Sequence, residues 1–169
     1  MHTLLPSLLY LKLWECSELE SFPEGGLPSN LQILAIYWCH KLFLRRMDWG
    51  LQSLHSLREI EIRYDDREVG SFPEEALLPP SLILLGISFP HLTSLNGKGF
   101  QHLTLLKQLE ILNCDNLQRL PAEGFPASLS ILDIYECPLL KKRYRRKNGK
   151  EWRKISHIPI IRIDREVVT

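Results

Sequence analysis

The sequence predicts an α/β solenoid: a curved parallel β-sheet on the concave side, mostly loop and short helical turns on the convex side, and little regular helix. Three observations lead there. A phrase of the form Leu-x-x-Leu/Ile-x-Leu/Ile occurs six times in the 169 residues. Its starts, Leu8, Leu31, Leu57, Leu82, Leu106 and Leu129, are 23, 26, 25, 24 and 23 residues apart, within the roughly 20–29-residue period of leucine-rich repeats. All four cysteines, Cys16, Cys39, Cys114 and Cys137, stand three residues beyond the last apolar position of their copy.

Each phrase alternates, which is the pattern of a short strand with leucines inward and the intervening residues outward. The first copy is Leu8, Leu11, Leu13, Cys16, Leu19 and Phe22-Pro23, and the fifth and sixth repeat it through Leu109, Ile111, Cys114 and Leu132, Ile134, Cys137. Two middle copies slip: one residue is gained at Asp65-Asp66 and one is lost at Pro90. Stacked in parallel, the strands project Tyr10, Lys12, Trp14, then Ile33, Ala35, Tyr37, then Glu59, Glu61, Arg63 from the concave face. They continue with Leu84, Gly86, Ser88, then Gln108, Glu110, Leu112, then Ile131, Asp133, Tyr135. The next position outward adds Trp38, Tyr64 and Phe89.

The returning segments are of two kinds. Phe22–Pro28, Phe72–Pro79 and Leu120–Pro126 each begin and end near proline, whose fixed φ and missing N–H exclude helix interior, so extended loops are expected. Gly50–Leu57 and Gly99–Leu106 carry apolar residues every third position, the spacing of a turn or two of tight helix.

After Cys137 the pattern changes to a basic run from Pro138 to Gly149, then Trp152 and Ile158-x-x-Ile161-x-Ile163, a terminal strand expected to close the stack. The division is therefore residues 1–140 as the repeat array and 141–169 as basic segment and cap. Met1 lies only seven residues before the first phrase, so the array is expected to be cut from something longer. The net charge of +1 hides a partition: residues 1–137 hold 10 Lys/Arg against 17 Asp/Glu, and residues 138–154 hold nine against Glu151 alone. Such asymmetry concerns partners. The cysteines form no C-x-x-C pair and suit small buried side chains that help satisfy turn backbone, in a reducing compartment. No apolar run is long enough to cross a bilayer, and no secretory signal or Asn-x-Ser/Thr acceptor is present, which predicts a cytoplasmic or nuclear protein.

These residues resemble the C-terminal leucine-rich-repeat region of plant intracellular immune receptors, the coiled-coil, nucleotide-binding, leucine-rich-repeat disease-resistance proteins. The motifs that carry the resemblance are Leu-x-Leu-x-x-Cys-x-x-Leu-x-x-Phe/Leu-Pro at 11–23 and 109–121, Glu24-Gly-Gly-Leu-Pro-Ser-Asn-Leu31, Gly97-Lys-Gly-Phe-Gln-His-Leu103, and the close from Cys137-Pro-Leu-Leu-Lys through Glu151-Trp-Arg-Lys-Ile-Ser-His-Ile-Pro159 to Ile163-Asp164. The resemblance implies repeats that hold an upstream ADP/ATP switch domain inactive until a pathogen effector, or a host protein modified by one, is sensed. No G-x-x-x-x-G-K-[S/T] phosphate loop occurs here, so nucleotide is expected only in that upstream domain and no cofactor or metal in this chain.

Candidate protein-binding residues on the concave face are Tyr10, Lys12, Trp14, Tyr37, Trp38, Glu59, Glu61, Arg63, Tyr64, Glu110, Asp133 and Tyr135. Tyr and Trp give large contact area at low entropy cost. Edge packing of the rings, and solvated ladder pairs for Arg58, Glu59, Glu61 and Arg63, are the plainer alternatives. The basic set Lys141, Lys142, Arg143, Arg145, Arg146 and Lys147 suits a solvated face, a dock for upstream domains of the same receptor, or import or nucleic-acid contacts, the last weakened because Tyr144 is its lone ring. The histidines are scattered, none recurs in phase with a cysteine or carboxylate, and His40 beside Cys39 is the only pairing, so no catalytic site is expected. A substrate adaptor of a ubiquitin ligase is the rival binding function.

Overall fold

The computed structural model describes residues 5–23, 25–64, 69–145 and 150–168. In chain order the elements are β1 (Tyr10–Trp14), β2 (Ile33–Tyr37), α1 (His40–Leu44), β3 (Glu59–Arg63), β4 (Ser71–Phe72), β5 (Leu84–Ser88), β6 (Ser94–Leu95), β7 (Gln108–Leu112), β8 (Ile131–Tyr135), α2 (Pro138–Tyr144), α3 (Lys150–Arg153), β9 (Ile160–Ile163) and β10 (Glu166–Val167). Tight 3₁₀ turns occupy Arg46–Trp49, Leu51–Ser53 and Gly97–Phe100. The architecture is mixed α/β, with a mostly parallel sheet and little helix.

β1, β2, β3, β5, β7, β8 and β9 pair in that order, all parallel, and β10 ends the sheet antiparallel to β9. The register never slips. Leu11, Leu34, Ile60, Leu85, Leu109, Leu132 and Ile161 form one row, and Leu13, Ile36, Ile62, Ile87, Ile111, Ile134 and Ile163 a second. Parallel strands lie ~4.8 Å apart, so these side chains touch along each row. From Leu34 onward both rows are buried within one continuous hydrophobic core, while Leu11 and Leu13 are half-buried against it.

The cysteine position has a specific backbone task. Glu15, Trp38, Asn113 and Glu136, each just before a cysteine, are left-handed with φ of 52°, 52°, 49° and 52°. That turn lets each thiol donate to the carbonyl two residues earlier: Cys16 to Trp14 at 3.6 Å, Cys39 to Tyr37 at 3.4 Å, Cys114 to Leu112 and Cys137 to Tyr135 at 3.3 Å. The carbonyls of Tyr37 and Tyr135 also accept an N–H from the preceding coil, Glu15 and Asn113, at 2.9 Å. Cys39, Cys114 and Cys137 are buried as expected, whereas Cys16, in the first coil, is half-buried. At the last coil Asp164 stands in for a carbonyl, its Oδ1 accepting the Glu136 N–H at 2.9 Å while Oδ2 pairs with Lys141.

Three expectations change. Tyr64 and Phe89 are buried, not outward, at 3% and 1% exposure. They follow β3 and β5, the two copies that slip, and neither has the left-handed φ that turns its equivalents outward. The Tyr64 ring instead stacks on Phe43 at 4.1 Å, with its hydroxyl 2.9 Å from His40 Nδ1. The segment after Cys137 is not simply a charge run ending in a turn: Pro138 opens α2 at its first position, where its missing N–H costs nothing, and Leu140 and Tyr144 face the core. Asp65 and Asp66 lie outside the described residues.

Candidate functional site

Among the described residues, no second layer of helix or strand packs on one face of the sheet. Along β3, β7 and β8 the second and fourth residues are buried and the first, third and fifth half-buried, so the charged and aromatic side chains expected outward stand there. Three columns cross the strands. The first runs Tyr10, Ile33, Glu59, Leu84, Gln108, Ile131, Ile160, and the second Lys12, Ala35, Glu61, Gly86, Glu110, Asp133, Arg162. The third is Trp14, Tyr37, Arg63, Ser88, Leu112, Tyr135.

The middle column is an acidic row, Glu61, Glu110 and Asp133, with a cation at each end, Lys12 and Arg162. Gly86 permits it, because a Cβ there would meet Glu61 Cγ at 3.3 Å. Gln108 Nε2 donates to Glu110 at 2.8 Å and to Asp133 at 3.3 Å, and Arg162 Nη1 donates to both Asp133 oxygens at 3.1 and 3.2 Å. Burial, with the charges of Asp133 and Glu61 added, pushes the Glu110 carboxyl above the usual carboxylate range. Arg162 is a site residue that the sequence reading missed, as is Arg165, whose guanidinium lies 5.1 Å over the Tyr135 ring. The alternation of Ile161 and Ile163 about Arg162 was the available signal for the first. Tyr135, Lys141, Asp164 and Arg165 line an open cleft of about 790 Å³ where the strands end.

The β1–β3 end is aromatic. Trp14 touches Trp38 and Tyr37 at ring-centroid distances of 5.5 and 6.1 Å, and Tyr37 touches Trp38 at 6.0 Å. Tyr37 is on the outward face as expected but is only 7% exposed. Lys12 Nζ and the Arg63 guanidinium each stand 4.7 Å from its ring, and its hydroxyl donates to Glu61. It is the floor of this region and not a free contact residue. Burial, followed by the Glu61 carboxylate, pushes its hydroxyl up to about 12. Glu61 also lies 3.9 Å from Arg63. Arg58 leaves this group, donating to the Ser81 carbonyl at 3.1 Å.

The basic set is divided. Lys141 pairs with Asp164, which holds that carboxyl below its usual range. Lys142 and Arg145 are exposed and Arg143 half-buried, and none of the three has a carboxylate within ion-pair distance among the described residues. Arg146 and Lys147 lie outside the described residues. Tyr144, the run's lone ring, is fully buried and its hydroxyl accepts the Leu120 N–H at 3.2 Å, so it offers no stacking surface to a base. Among the described residues no helix is long and apolar enough to cross a membrane, and no three His, Cys, Asp or Glu side chains converge as metal ligands.

The chain is 43% identical over 187 aligned positions, 96% of its own length, to the protein named "Putative disease resistance protein At3g14460" from Arabidopsis thaliana. It spans 13% of that protein's length. No family model matches the chain. No solved structure matches it either.

Proposed function

We propose that this chain is a leucine-rich-repeat solenoid, residues 1–140, closed by a C-terminal cap, residues 141–169, and that it serves as the non-catalytic recognition and autoinhibitory region of a plant innate-immune receptor. Its partners are a pathogen effector or modified host protein and the upstream domains of the same receptor, which would carry the ADP/ATP site. It acts in the cytoplasm or nucleus. The name of the Arabidopsis relative supports the defence setting. The observation that carries the binding reading is the open sheet face of seven parallel strands in register, on which every strand but β5 presents a charged or aromatic side chain. A stable interface buries about 800 Å² per partner, an area such a face can supply.

The test uses the intact receptor containing this segment, expressed in leaf tissue with matched effector. Charge reversal at Glu59 and Asp133 on the open face should abolish effector-triggered cell death or release it without effector, with receptor accumulation unchanged. Reversal at Glu123, on a return, should do neither. The proposal fails if the return variant alters the response and the open-face variants do not.

A further inference from the structure

The aromatic end of the open face exposes three large rings. Tyr10, Trp14 and Trp38 are 50%, 54% and 40% exposed, although each is among the side chains water tolerates least well in a cluster. Trp38 is the more telling. It holds the left-handed position before a cysteine, where the other coils place the polar residues Glu15, Asn113 and Glu136. Asn suits that backbone because its short amide can bond locally, whereas a bulky residue there is strained. Its ring packs against Trp14 and Tyr37 and not in the core. A strained, solvent-facing tryptophan beside a second one is the signature of a surface kept for contact.

Lys12 supplies the chemistry of the contact. Its ammonium stands 4.9 Å from the Trp14 ring and 4.7 Å from the Tyr37 ring, and among the described residues no carboxylate lies within ion-pair distance of it. By contrast Arg63 has Glu61, Arg162 has Asp133 and Lys41 has Glu18. Lys12 is thus a cation held in place by π faces with its charge uncompensated.

We infer that Trp14, with the Lys12 ammonium over its ring and Trp38 packed against it, and Tyr10 on the same face of β1, form the anchor site for a protein segment that brings an aromatic or aliphatic side chain beside a carboxylate. The apolar group lies against the two indoles and the carboxylate takes Lys12. A neutral sugar would also stack on the rings but would leave the cation unanswered. The inference rests on the reading of the open face as the recognition surface, and narrows it to one end and one ligand chemistry.

The test is selection of a phage-displayed random dodecapeptide library on the full chain, repeated on Trp38→Asn, Trp14→Thr and Lys12→Glu. Selected peptides should carry Trp, Phe or Leu within three positions of Asp or Glu. Trp38→Asn and Trp14→Thr should each weaken them at least about tenfold, with thermal unfolding held or raised for Trp38→Asn because the left-handed backbone is relieved. Lys12→Glu should switch the selected composition to Lys and Arg. Failure to enrich peptides, preference for a neutral oligosaccharide on an array, or an acidic preference unchanged in Lys12→Glu would overturn the inference. If peptides are lost on Asp133→Ala but not on the tryptophan variants, the anchor site is wrong while the recognition face stands; if they bind the returns, both fall.

Discussion

Replacing Leu109 by Ala tests the inward phase of the strands more severely than any change on the surface. Leu109 is fully buried in β7 and lies in register between Leu85 and Leu132, both also fully buried. The change removes three carbons, ~2.4 kcal/mol at ~0.8 kcal/mol per buried methylene. The neighbours are fixed by ladders on both sides and cannot close the space, so a cavity term brings the loss to about 3–5 kcal/mol. For a chain of this size that lowers the melting temperature by roughly 6–20 °C. Glu110→Gln, one position along, is the control. Its carboxyl is pushed up by burial and by Asp133 and Glu61, so the folded state resists the charged form and its contribution is lost as pH rises through the raised value. Glu110→Gln should therefore stabilise at pH 7 and have little effect at pH 4. Circular dichroism melts of both variants at the two pH values provide the assay. A neutral Leu109→Ala together with a destabilising Glu110→Gln at pH 7 would mean that the strand faces are assigned the wrong way round.

Three further outcomes follow from single contacts. Tyr144→Phe keeps the buried ring but leaves the Leu120 N–H without its acceptor, and should cost about 1–3 kcal/mol in urea unfolding; no change would mean that the hydroxyl is not what satisfies that amide. Tyr37, pushed up to about 12, stays protonated in the folded state where the unfolded tyrosine ionises, so stability should decline between pH 10 and 12, and Tyr37→Phe should flatten that decline. Asp164 is held low by Lys141 and by the Glu136 N–H, so its stabilisation is present above the unfolded carboxylate value and lost as pH falls through the folded one. Acid titration of Asp164→Asn should show less of that loss than the parent chain.

What could be read in the sequence was whatever repeats. Six phrases with period-2 alternation gave strands β1, β2, β3, β5, β7 and β8 and their inward rows, because a one-residue error would turn a whole row of leucines to water. Strand β9 was legible from Ile161 and Ile163 for the same reason, whereas β10, which ends the sheet beyond it, was not. Residues just beyond a strand were not. Whether Trp38 or Tyr64 turns outward depends on one backbone dihedral, and nothing in the residue type announces it: the tryptophan is left-handed and exposed, the tyrosine is not. The basic run hid α2 because its charges overshadow the Leu140 and Tyr144 spacing that buries one side of the helix. Tyr37 was correctly placed on its face but misjudged in exposure, since its cover comes from Lys12 and Arg63 on neighbouring strands. Cross-strand neighbours that far apart in sequence cannot be read from a local pattern.

Leucines and thiols of successive coils share one dry core behind an open face. Residue-resolved alkylation of the four cysteines by iodoacetamide across a urea titration tests it most directly. Cys16, half-buried, should react in native buffer, while Cys39, Cys114 and Cys137, at opposite ends of the stack, should stay protected and become reactive at one shared midpoint with global unfolding. Free-thiol reactivity in native buffer at any of those three, or separate midpoints for Cys39 and Cys137, would contradict a single core.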